Sequence, residues 1–114
     1  MISGYEEKLK EVVSGLQEAE IQNLKQNGYT NEAFFNEDGT TTKDHTVVVK
    51  LGKKYDKIDI GTCGVFMVER ETGELYNIKA YGVPDKNKKI KADIGNIFTV
   101  DPQILHTKRY NYLR

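Results

Sequence analysis

Over the first quarter of the chain, apolar residues recur three and four apart: Tyr5, Leu9, Val12, Val13, Leu16 and Leu24. Glu6, Glu7, Lys10, Glu11 and Glu18 fall mostly outside that stripe. The spacing predicts one amphipathic helix over about residues 4–27. Ser3 with Glu6 three residues later reads as a capping box, and Gly28 stands where a left-handed residue commonly stops a helix. Ile21 lies off the stripe, either incidentally or as part of a second contact face for a partner chain. Residues 29–45 are polar, with Phe34 and Phe35 as anchors and Asp38-Gly39 as a tight turn. The period then changes from helical to alternating. "TVVVKL" at 46–51 and "YDKIDI" at 55–60 read as strands, with Ile58 and Ile60 on one face and Tyr55, Lys57 and Asp59 on the other. "GVFMVE" and "LYNIKAY" flank "RETGE", where Gly73 can take positive φ, so residues 64–82 are predicted to form a hairpin. Pro84, lacking a ladder donor, is expected to end that strand. A last strand is expected at "NIFTV", then a turn at Asp101-Pro102 and a tail forming a short strand or a helical turn.

These elements give an α+β fold, an N-terminal helix packed on a four- or five-stranded, mostly antiparallel sheet, and 114 residues fit a single domain. Such a sheet has edges, one of which residues 83–95 or a second copy must cover. With 38% hydrophobic residues, seven tyrosines and four phenylalanines, the composition excludes a disordered chain. No stretch approaches the roughly 18 apolar residues of a membrane span, and "MISGYEEKLK" lacks the apolar core of a signal peptide, so a cytoplasmic protein without membrane contact is expected.

Net charge is zero but uneven. Residues 1–42 hold 3 Lys/Arg against 8 Asp/Glu, a balance of −5, whereas residues 84–114 hold 7 against 3, a balance of +4. This asymmetry fits an anionic ligand for the C-terminal third, or a head-to-tail contact with the acidic helix of another copy.

The candidate chemistry is of binding type. Lys86, Lys88, Lys89 and Lys91 form a basic loop that serves either as a solvated edge guard or as a phosphate-steering surface. Beyond it, Gly95 permits close backbone approach and Asn96 carries both donor and acceptor for a base or ribose edge. Phe98 or Tyr81 can stack on a base, and Lys108, Arg109 and Arg114 can hold phosphates. Phe98 fits the core equally well. Cys63 has no partner spacing and is read as structural; His45 and His106 are read as ordinary surface histidines. Asp56 and Asp59, three apart on a strand, face opposite ways and cannot form a catalytic pair. No phosphate loop, dinucleotide fingerprint, metal spacing or helix-turn-helix is present, so neither an enzyme nor a cofactor is expected.

At "KYDKIDI", "FMVERETGELYNIKAYGVPDK", "GNIF" and "RYNYLR" the chain resembles small phage and prophage proteins of similar length, over residues 54–114. The layout also looks like that of phage anti-defence sponges of the anti-Thoeris type. The resemblance implies a non-catalytic protein that sequesters a small cyclic nucleotide immune signal in the host cytoplasm, as a homo-oligomer. Asn96, Phe98, Arg109 and Arg114 are then the ligand-binding positions. The alternative is a protein-binding inhibitor of a host defence complex of anti-CRISPR type, whose Glu6, Glu7, Glu11, Glu18 and Glu20 imitate nucleic acid.

Overall fold

The structure, a computed structural model, describes residues 2–80, 83–85 and 95–108. Helix α1 spans Tyr5–Gln26, and a polar segment ending in a 3-10 turn at Lys43–His45 leads into the sheet. The strands are β1 (Val47–Lys50), β2 (Tyr55–Ile60), β3 (Cys63–Glu69), β4 (Leu75–Ala80) and β5 (Val83–Asp85), followed by helix α2 (Pro102–Thr107). They form one antiparallel meander in the order β1-β2-β3-β4-β5, so the fold is α+β with five strands.

The helix ends as its sequence indicates. Gly28 has φ 79°, its N–H donates to Lys25 C=O, and the Tyr29 N–H donates to Leu24 C=O, which closes the last turn. Its start differs from the expected capping box. Gly4, at φ 78°, occupies the cap position and no side chain caps the first turn, because the backbone enters through a left-handed residue that places Ser3 one position too early.

Tyr5, Leu9, Val12 and Leu16 pack with Val47, Ile58, Phe66, Val68 and Leu75 from one sheet face, and with Ile97 and Leu105 from the C-terminal segment. Each such side chain, fully buried, contributes roughly 1.5–3 kcal/mol. The strand register shifts between Ile58 and Asp59, leaving Val65 as the extra residue of a bulge. Gly15 lets α2 approach α1, since a Cβ there would lie 2.5 Å from the Pro102 side chain. Over the described residues the expected hairpin forms as β3 and β4, with Gly73 at φ 78°; residues 81 and 82 of the expected span lie outside them.

Three local expectations change. Pro84 lies within β5, opposite Ile78, and is tolerated because β5 is an outer strand where a missing N–H need break no ladder. "NIFTV" turns instead of extending: only Asn96 bridges to Glu74, after which the Thr99 and Val100 N–H groups donate back to Asn96 C=O. Asp101-Pro102 starts α2, with the Asp101 carboxylate accepting from Gln103 N–H and proline at the first helical position.

Candidate functional site

A cleft of about 620 Å³ separates the N-terminal half of α1 from the end of β1. Its construction follows from two periodicities. Tyr5, Leu9 and Val13 form one row along α1, and Glu6, Lys10 and Ser14 the adjacent, more polar row. On the sheet side, Val49 and Leu51 share a strand face, and Asp56 and Arg70 complete the lining. Walls are therefore apolar and charge is confined to floor and mouth.

The floor is a closed polar cage. Asp56 is 0% exposed; its Oδ2 accepts the Tyr5 O–H at 2.7 Å and its Oδ1 accepts the Gly52 N–H at 2.9 Å. Arg70 Nε stands 3.5 Å from Oδ2, while Arg70 Nη1 donates to Gly52 C=O at 2.8 Å. A buried carboxylate is tolerable only when so paired and bonded. Burial, and then the Asp56 hydrogen bond and charge, push the Tyr5 hydroxyl well above its ordinary pKa, against a smaller opposing effect of Arg70. The phenol thus stays protonated and donating. Gly52 is required beside it, because an added Cβ would sit 2.2 Å from Tyr55 C=O.

Asn96 and Phe98 stand beside the β3–β4 turn, away from the cleft lining. The Asn96 side chain donates to Thr72 C=O at 2.9 Å and accepts the Phe98 N–H at 2.9 Å, so its carboxamide holds backbone to backbone. The Phe98 ring, 37% exposed, lies over Gly73 and near Gly4. Lys108 is half-buried and follows α2, whose His106 reaches Glu20. Glu20 lies sixteen positions after Gly4, about 24 Å along the helix axis, which puts Phe98 and Lys108 toward opposite ends of α1. Tyr81, Lys91, Arg109 and Arg114 lie outside the described residues, as do Lys86, Lys88 and Lys89.

The histidines are not ordinary surface residues. Glu20, 5% exposed, accepts from His106 Nε2 at 2.7 Å and from His45 Nδ1 at 2.7 Å, joining α1, the 3-10 turn and α2. His106 is 4% exposed, and Phe34 tilts against the His45 ring. Glu20 therefore drops out of the exposed acids of the helix. One sequence signal pointed to it: Leu16, Glu20 and Leu24 are spaced four apart, so Glu20 occupies a position in a buried row. Cys63 is exposed at the start of β3. Asp56 and Asp59 do face opposite ways, Asp56 toward Tyr5 and Asp59 toward Lys50 at 3.5 Å.

Among the described residues, no cluster of His, Cys, Asp or Glu is arranged to hold a metal ion, and no helix is long and apolar enough to cross a membrane. No family model, curated protein or solved structure matches the chain.

Proposed function

We propose that this protein binds its target without turning it over, and that the α1/β1 cleft is where capture occurs. The observation that carries this reading is the cleft itself: apolar walls above a floor whose carboxylate accepts the phenol's hydrogen bond and is ion-paired with the guanidinium. Such a floor supports binding over proton transfer, since the Asp56 oxygens already accept bonds and the Tyr5 proton is held in place.

The ligand class comes from the resemblance to phage anti-defence proteins: a small phosphorylated nucleotide, sequestered as an immune signal in the host cytoplasm by a homo-oligomer. A base fits against Leu9, Val13 and Leu51, and a phosphate at the mouth meets Lys10. Native mass spectrometry of protein purified from its expression host is expected to show a nucleotide-mass adduct. Adenosine and guanosine mono-, di- and cyclic phosphates are then expected to raise the melting temperature according to RT ln(1 + [L]/Kd). Lys10→Glu, at an exposed position, should weaken binding roughly tenfold with stability within about 0.5 kcal/mol of the parent. No adduct and no shift with any of these nucleotides would remove the nucleotide reading.

A protein-binding inhibitor is the second reading. It is favoured by the open outer edge of β1, which borders the same cleft. Glu6, Glu7, Glu11 and Glu18 remain exposed on α1 for such a contact.

A further inference from the structure

The register of β1 decides which of its backbone groups are unpaired. Gly61 N–H donates to Thr46 C=O, so residues 46, 48 and 50 direct their amide groups toward β2, and residues 47, 49 and 51 direct theirs outward. At the start of the strand, α1 closes this edge: Gln17 Oε1 accepts the Val47 N–H at 2.8 Å, with Gln17 Nε2 held by Thr41 and His45 C=O. At the other end the cleft intervenes. Among the described residues, none bonds to the Val49 N–H, the Val49 C=O or the Leu51 N–H. The Val49 and Leu51 side chains line the cleft, and Leu51 is 74% exposed. An unpaired ladder thus runs directly beside an apolar trough.

Charge selects the occupant. Lys10, Lys53 and Lys54 are exposed around this edge, and Lys50, which pairs with Asp59, keeps 60% of its side chain in solvent. Glu6 is the acid at the mouth. A second copy pairing antiparallel about Val49 would bring two sets of these lysines together, and like charges across a contact oppose association.

We infer that β1 accepts an added strand from a partner protein: an extended segment about three to five residues long. One aliphatic side chain enters the trough beneath Tyr5, Leu9 and Val13, and its acidic neighbours, pointing to the opposite face of the sheet, meet Lys50 and the lysines of the following turn, Lys53 and Lys54. Main-chain bonds to Val49 and Leu51 supply affinity, and the trough and lysines supply selectivity. The inference rests on the reading of the cleft as the binding site, and names the segment that its protein-binding form would recognise.

The test titrates the full chain, labelled with 15N, with terminally blocked heptapeptides alternating leucine or valine with glutamate. Parallel sets carry lysine for glutamate, or N-methyl groups on the backbone positions that would face β1. The expected result is slowed exchange of the Val49 and Leu51 amides, with both control sets bound at least about tenfold more weakly. Failure of every acidic peptide to bind below about 1 mM, or binding without protection of those two amides, overturns the proposal. So does equal binding of the lysine or N-methyl sets. Protection that grows with protein concentration alone would assign the edge to a second copy instead. AMP and cyclic AMP run in the same experiment separate the two levels: shifts of cleft residues with nucleotide but not peptide retain the cleft and remove the strand, and silence from both removes both.

Discussion

Asp56 and Glu20 are two buried carboxylates that fasten α1 to the rest of the molecule, one near each end, and they are built differently. Asp56 projects from the sheet and is met by a phenol, a backbone amide and a guanidinium. Glu20 projects from the helix and is met by two imidazoles. An arginine holds its charge at every relevant pH, whereas an imidazole is charged only conditionally. Asp56 therefore has permanent compensation, and it can sit beside an open cleft without depending on what enters. Glu20 depends on hydrogen bonds from two segments distant in sequence, and its place is where α1, residues 41–46 and α2 converge. The first arrangement supports a binding surface; the second holds the scaffold that keeps it in shape.

Removing each carboxylate tests this distinction. Asp56→Ala leaves Arg70 without its buried counter-charge and the Tyr5 hydroxyl and Gly52 N–H without an acceptor, so a loss of about 3–5 kcal/mol is expected in urea unfolding. Against a typical total of about 5–15 kcal/mol, that approaches loss of the fold. A loss below about 1 kcal/mol would mean that the cage is incidental. Glu20→Ala strands two imidazole nitrogens and should cost about 2–3 kcal/mol. Glu20→Gln should recover roughly half of that, because a carboxamide can accept from one ring and donate to the other. If the glutamine variant is as unstable as the alanine variant, the carboxylate's charge and not its geometry holds the three segments.

What the sequence shows and what it hides follow from the range of each interaction. The α1 stripe, Gly28, and the β3–β4 hairpin around Gly73 are set by neighbours a few residues apart, and periodicity reveals them. The cage and the histidine bridge are not local: Tyr5 meets Asp56 across 51 positions, and Glu20 meets His106 across 86. Alternation in "YDKIDI" puts Asp56 on the apolar face with Ile58 and Ile60, unlike Asp59, but it gives faces and not depth, and it names neither Tyr5 nor Arg70 as a partner. Glu20 was visible as a charge in an apolar row, but its partners were not. Asn96 illustrates the opposite problem. Its donor and acceptor, which suit a nucleobase edge, serve the backbone of Thr72 and Phe98 in the fold.

A smaller change than removing Asp56 addresses the cage most directly. Tyr5→Phe deletes one hydrogen bond to a buried carboxylate and should cost about 1.5–3 kcal/mol at neutral pH, toward the lower end if Arg70 closes on Asp56. Its pH dependence identifies the cause. Because the folded Tyr5 hydroxyl titrates above its unfolded value, its contribution is fully present below about pH 10 and declines as pH rises beyond that, where the unfolded phenol ionises and the folded one does not. The advantage of the parent over Tyr5→Phe should therefore shrink above pH 10 by up to about 1.4 kcal/mol per pH unit. The remaining tyrosines and the lysines titrate in both proteins and cancel in the difference. A stability difference that stays constant from pH 8 to 11 would show that the phenol is not buried against Asp56, and would detach the cleft floor from the cage that defines it.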